Sequence, residues 1–358
     1  KFSTFALTAL SPLAAFAGAL IPRQNAGPVG YASLNGGTGM YNVSAHLDKH
    51  ANSLAVRLSI YLIHTSLEAH CLEAKCLPAY QSALQHIIQT GGAGGKSVTV
   101  TTYAALAAAV KDDAAAIVYV KGKISGSTKI RVGSNKSVLG VDSSSGLTGF
   151  GLFVRDAKNI IIQNLAISKV PTGDAGGDAI GVPSSTNIWL DHLDLSSDQN
   201  SGKDFYDGLA DFSHGADYLT VSNTYFHDHY KASLVGHSDN NGGEDKGKLR
   251  ITYANNYFKN INSRMPLLRF GTAHVFNSVF EGGSTAVNTR MGAQALVESS
   301  VFKSVERAVL SIDSKEVGYA VTKDLLLNGA LSDAPQGTLN SVPYSYSALG
   351  SAKVEAAV

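Results

Sequence analysis

From about residue 96 onward, short runs rich in Val, Ile, Thr, Tyr and Phe alternate with Gly, Asn, Asp and Ser. This is the texture of strands separated by turns. Helical periodicity is weak after the segment TTYAALAAAV near residues 101–110. Within the strand-like region one pattern recurs: an apolar residue, any residue, a small or polar residue, two more, then another apolar residue. It appears as Ile162-Gln-Asn164-Leu-Ala-Ile167, Leu190-Asp-His192-Leu-Asp-Leu195 and Val221-Ser-Asn223-Thr-Tyr-Phe226. It continues as Tyr253-Ala-Asn255-Asn-Tyr-Phe258, Val275-Phe-Asn277-Ser-Val-Phe280 and Val297-Glu-Ser299-Ser-Val-Phe302.

Successive copies are offset by 28, 31, 32, 22 and 22 residues. A sandwich has no reason to repeat one local motif at near-constant spacing, whereas a parallel β-helix stacks the same corner in every coil. The pattern predicts an all-β, single-domain parallel β-helix whose apolar positions stack inward. Asn at the bend would satisfy backbone groups and its neighbours along the ladder. The 22-residue steps are minimal coils, and the longer ones carry loops on one side, where function concentrates.

Residues before 96 read differently. Lys1, an apolar run without further charge until Arg23, and Ala15-Phe16-Ala17 before Gly18 predict a secretory signal peptide over 1–17 and hence a secreted, extracellular protein. An N-terminal mature segment covers 18–38. Residues 39–89 are expected to be an atypical insertion, either retained intron sequence or disordered chain, ahead of a parallel β-helix domain over 90–358. That segment holds Cys71, Cys76 and five of the eleven histidines, but their spacing matches no zinc pattern. GGAGGKS resembles a phosphate-cradling loop, yet Thr90 stands where such a loop needs glycine, so a glycine linker is expected.

Composition narrows the classes further. Apolar residues make up 44% and charged residues 16%, enough apolar material for a sizeable core and against wholesale disorder. The 36 glycines keep no three-residue period, which excludes collagen. A net charge of +1 gives no reason to expect a nucleic-acid partner. No segment after the leader is apolar for long enough to span a membrane.

The long coils carry the candidate chemistry. Asp174, Asp178, Asp191, Asp194, Asp198, Asp204, Asp207 and Asp211 crowd this region, with Lys231, Arg264 and Arg269 following. Gathered carboxylates suit a hard cation. Asp207 and Asp211 would share a strand face, but at ~3.3 Å per residue they would stand about 13 Å apart if extended. The chain must bend between them, and Gly208 allows it. Spacing alone leaves these acids open between surface charge and a metal site.

Four blocks, NIWLDHLDLSSD (187–198), DFYDGLADFSHGADYLTVSN (204–223), HDHYKASLVGHSD (227–239) and INSRMPLLRFG (261–271), resemble the signature blocks of family 1 polysaccharide lyases, notably fungal secreted pectate lyases. The likeness spans most of 96–348, in the family's order. It implies a right-handed parallel β-helix, which agrees with the repeat, and a calcium-dependent (Ca2+) enzyme that cleaves polygalacturonate in pectin, acting as a monomer.

The resemblance further implies that Asp178, Asp207 and Asp211 bind calcium. Lys231 would contact the substrate carboxylate, Arg264 would abstract the proton, and Arg269 would bind substrate beside it. Two positions depart from the family: Gly176 where another acid is frequent, and Ser213 where lysine is common. Guanidinium is ordinarily protonated, so an arginine base needs neighbouring cations that disfavour its charge, which predicts an alkaline optimum. The alternatives are a pectin lyase acting on methylated polymer without calcium, and a non-catalytic polysaccharide-binding β-helix protein. The blocks Asn-Thr-Asp, Gly-His-Asp and Arg-Ile-Lys of galacturonan hydrolases, whose chemistry needs paired carboxylates, are missing from the chain. His192 and Trp189 are expected to pack rather than react. Asn135, in Asn-Lys-Ser, is a possible glycosylation acceptor.

Overall fold

The computed structural model describes residues 29–34 and 91–358; the leader expected over 1–17 and the insertion expected over 39–89 lie outside the described residues. The chain winds into a parallel β-helix, right-handed as parallel crossovers almost always are. Three ladders of parallel strands run its length. The first rises from Lys96–Val100 through Ala116–Val120 and Lys136–Gly140 to Tyr319–Leu326, giving ten rungs. Lys158–Ser168 and Thr186–Ser196 pass through the next corner and serve the second ladder as well. The third includes Ile130–Arg131, Leu152–Phe153, Ile180–Pro183, Ala210–Ser213, Leu234–Val235 and Leu267–Arg269.

The recurring polar residue is the corner between the first two ladders. Asn164, His192, Asn223, Asn255, Asn277 and Ser299 all adopt left-handed backbone, φ between 47° and 56°. Asn tolerates that conformation better than most residues. Asn277 donates through Nδ2 to Asn255 Oδ1, and Asn255 to Asn223 Oδ1, each at 3.1 Å. Asn223 in turn donates to Asp191 Oδ1 at 2.8 Å. Asp191 also accepts from Gln163 Nε2 and Ser222 Oγ, so its carboxylate is committed to the wall. His192 occupies its corner beside Asp191, and Trp189 packs with Leu139 and Ile161 while donating to Ser222. Both are packing residues, as expected.

Inside, aligned positions stack from coil to coil. Phe226, Phe258, Phe280 and Phe302 form a column of near-parallel rings with centroids 4.6, 5.0 and 4.6 Å apart. The α-helix Tyr103–Val110 closes one end of the barrel, burying Leu106 and Val110, with the Thr102 hydroxyl accepting from the Ala105 amide. Near the other end Ser351–Ala357 lays Val354 against Val279 and Val301, a helix the strand-rich reading missed. Tyr31 and Ala32 dock on the first ladder through Thr252 and Thr220. Asn135 is half-buried, its amide nitrogen already donating to Asp113 O.

Extra residues of the long coils enter at two corners rather than one. Residues 169–179 and 197–209 precede the third ladder, and residues 236–249 follow it. Both sets flank the outward face of that ladder and wall it into a groove.

Candidate active site

Alternation along the third ladder sorts its side chains. Ile180, Val182, Ala210, Phe212, Val235 and Leu268 face the core. The positions between them face out in two columns. One runs Gly181, Asp211, Leu234, Leu267 and Asn288; the other runs Pro183, Ser213, Gly236, Arg269 and Arg290. Ser213, expected from the resemblance to stand in place of a lysine, therefore lies in the same column as Arg269.

Asp178 and Asp211 both lie beside Gly181 on this face, close enough for the Asp178 charge to act on Asp211. Asp178 Oδ1 accepts the Gly208 N–H at 2.9 Å, and Asp211 Oδ1 accepts the Leu234 N–H at 2.9 Å. Their Oδ2 atoms have no hydrogen-bond donor among the described residues. Desolvation, then the charge of Asp207, pushes the Asp178 pKa up to about 7. Desolvation and then Asp178 push Asp211 up as well. Two desolvated carboxylates repelling each other are the setting that a hard divalent cation relieves.

Gly208 contributes space rather than an unusual backbone: a β-carbon there would collide with the Asp211 carboxylate. The bend expected at this glycine is real, but left-handed freedom is not its cause, since Gly208 is absent from the positive-φ positions.

Asp207 is engaged differently. Its Oδ1 accepts from Lys231 Nζ at 2.8 Å, and Asp204, whose partnership the sequence did not disclose, accepts from the same ammonium at 3.0 Å. Burial disfavours the Lys231 charge, but these two carboxylates outweigh it and raise its pKa. Beneath the loop, His229 Nε2 lies 2.9 Å from the Asp207 carbonyl oxygen. A carbonyl only accepts, so this nitrogen carries the hydrogen, leaving Nδ1 to accept from Ser197 Oγ. Burial lowers the His229 pKa to about 4, consistent with a neutral ring. Among the described residues no group of three or more His, Cys, Asp or Glu side chains forms a ready-made metal cage. The donor chemistry of Asp178 and Asp211 fits calcium, while Asp207 is paired with Lys231.

Arg264 follows the strand Tyr257–Ser263 in a left-handed conformation, φ 61°, uncommon for a residue with a side chain. Its guanidinium has no hydrogen-bond or ion-pair partner among the described residues. Its charge still reaches the acids, lowering the pKa of Asp178 and Asp211 against the larger effect of desolvation. Arg269 is held rigidly: Nε donates to Asp239 Oδ1 at 2.6 Å and Nη1 to Gly236 O at 2.9 Å. Arg290, overlooked in the sequence, pairs with Arg269 in strand register. Burial and then Arg269 lower its pKa. Arg290 lies 21 residues after Arg269, one short of a minimal 22-residue coil, so counting by the repeat alone lands on Met291 instead.

The six residues expected from the sequence thus converge on one groove: three acids, a lysine and two arginines. Such a surface can hold an acidic polymer beside a cation and a free guanidine.

Comparisons with known proteins agree. A family model described as pectate lyase matches residues 30–354. A probable pectate lyase A from Aspergillus fumigatus is 58% identical over 258 residues, covering 72% of this chain and 79% of that protein. Pectate lyase B from Colletotrichum gloeosporioides is 54% identical over 271 residues, covering 75% and 81%. Among solved structures, a pectate lyase from Bacillus sp. N165 in complex with trigalacturonate superposes with a TM-score of 0.69 at 32% identity. It covers 75% of this chain and 94% of that one. The chain belongs to the pectate lyase family and is a polysaccharide lyase.

Proposed function

We propose that this protein is a secreted, monomeric, calcium-dependent pectate lyase that cleaves de-esterified homogalacturonan by β-elimination, leaving 4,5-unsaturated oligogalacturonides. The observation that carries the reading is the unpartnered Arg264 guanidinium set among Asp178, Asp211 and Lys231. Asp178, Asp207 and Asp211 would hold calcium, which when bound neutralises the uronate carboxylate and the charge that develops on it.

Lys231 and Arg269 bind the acidic polymer from the protein side. Arg269 is fixed by Asp239 and Gly236, so it meets substrate with little ordering cost. Arg264, with no competing partner, takes the proton from C5. The electrons of that C–H bond form the C4–C5 double bond, and the glycosidic oxygen departs from C4 and is protonated by solvent. Water does not add across the bond, so the product keeps its unsaturation.

A lyase of methylated pectin is the second reading, and the desolvated Asp178–Asp211 pair weighs against it, because an esterified sugar brings no carboxylate to bridge. Ultraviolet absorbance of unsaturated product from polygalacturonate, with calcium and then with a chelator, tests the proposal. Chelator-resistant cleavage, or greater activity on methylated pectin, would overturn it.

A further inference from the structure

The outward column that contains Asp211 does not stop at Gly181. It continues toward the start of the barrel as Phe153 and Arg131, each in register with the next. Ile130, Val132, Leu152 and Val154 point into the core, which turns Arg131, Phe153 and Arg155 outward on the face that carries Asp211 and Arg269. Because each rung adds about 4.8 Å, Phe153 stands two rungs from Asp211, roughly 10 Å along the groove.

The connection to the site is direct. A β-carbon on Gly181 would lie 3.3 Å from Asp178 Oδ2 and 3.4 Å from the Phe153 ring, so the ring and the carboxylate flank the same missing side chain. Lys129 Nζ is 5.0 Å from the centre of the Phe153 ring, which holds the ammonium over this rung. Arg131 Nη2 donates to Arg155 O at 3.3 Å. Asp156 is the one acid paired with these cations among the described residues, at 3.9 Å from Arg131 and 3.4 Å from Arg155. The arginine side chains remain 63% and 56% exposed, so these pairs are weak and both guanidiniums stay open to an incoming anion.

We infer that Lys129, Arg131 and Arg155, set around Phe153, form a further subsite that takes uronate sugars lying beyond those at Asp178 and Asp211. The proposal rests on the reading of the groove as a galacturonan site and deepens it. A uronate polymer carries one carboxylate per sugar, and a chain extending past Gly181 places its next carboxylates over three cations, of which the two arginines share one paired acid, Asp156. The subsite therefore rewards chain length: a short oligomer filling the central rungs gains nothing from it, and a longer one does.

The test compares trigalacturonate with hexagalacturonate as substrates for the wild type and for Lys129→Gln/Arg131→Gln/Arg155→Gln. The three side chains are exposed, and melting temperature checks that the variant folds. The hexamer-to-trimer ratio of kcat/KM is expected to fall about tenfold, the scale of three partly screened charge contacts. An unchanged ratio, including an equal loss on both substrates, overturns the subsite. Calorimetric binding of the same two oligomers to both proteins reads the same ratio without turnover. A wild type that bound them but made no unsaturated product would sink the lyase reading alone, and an unaltered affinity ratio would sink the subsite alone.

Discussion

Asp239 clamps Arg269. One carboxylate oxygen accepts the arginine Nε–H at 2.6 Å, while the other accepts from Ser314 Oγ at 2.7 Å and from the Lys315 amide at 3.0 Å. Burial would raise the Asp239 pKa, but these donors hold it well below the usual carboxylate range. Removing the carboxylate in Asp239→Ala frees Arg269 and is expected to raise KM for polygalacturonate about tenfold, the scale of one charge-assisted hydrogen bond. Asp239→Asn should recover part of the loss. A fall in kcat alone would show that Arg269 is not a ground-state contact.

Arg264→Lys keeps the positive charge but moves the basic atom, so lysis is expected to drop by about 10²–10⁴-fold, the usual contribution of a positioned proton acceptor. Calcium-dependent retention on polygalacturonate should survive. Unaltered turnover would remove Arg264 from the reaction.

Metal-free stability has a defined pH sign. The Asp178 carboxyl titrates at about 7 in the fold, against about 4 in an unfolded chain. Between those values the folded chain holds a proton that the unfolded chain has released, so stability falls as pH rises through that window. Asp211 acts in the same direction. In chelator, Tm is therefore expected to decrease from about pH 5 to about pH 8, and calcium should raise it more at the upper end. A calcium shift independent of pH would contradict the assignment.

Gly208→Ala sets a methyl group against the Asp211 carboxylate. The expected result is a rise of about tenfold or more in the calcium concentration needed for half-maximal activity, since displacing one ligand costs at least ~1.4 kcal/mol. Titration of activity against free calcium checks it.

Phe258 is sandwiched between Phe226 and Phe280 with no solvent contact. Phe258→Ala should cost about 3–5 kcal/mol, because rigid rungs above and below cannot close the hole. Denaturant unfolding reads this directly.

The features legible in the sequence were those that one coil encodes locally. An Asn such as Asn223 or Asn255 announces its own left-handed corner, and Phe226 or Phe258 its own inward slot. The acids and bases of the groove were legible through motif blocks, because Asp207, Asp211 and Lys231 lie close in sequence. Arg290 and the Asp239–Ser314 bridge were not, since they depend on strand register and on a contact spanning 75 residues. The helix Ser351–Ala357 escaped for a related reason: its single buried apolar anchor, Val354, finds its pocket on strands far upstream.

The uniform corner column has an evolutionary corollary. Since each coil is gripped by its neighbours above and below, one outward position can change its chemistry without disturbing the next. A wall built this way is open to piecemeal tinkering: an outward residue such as Ser213 can be exchanged while the inward Phe212 keeps its slot, and a new specificity can be tried for the cost of one codon.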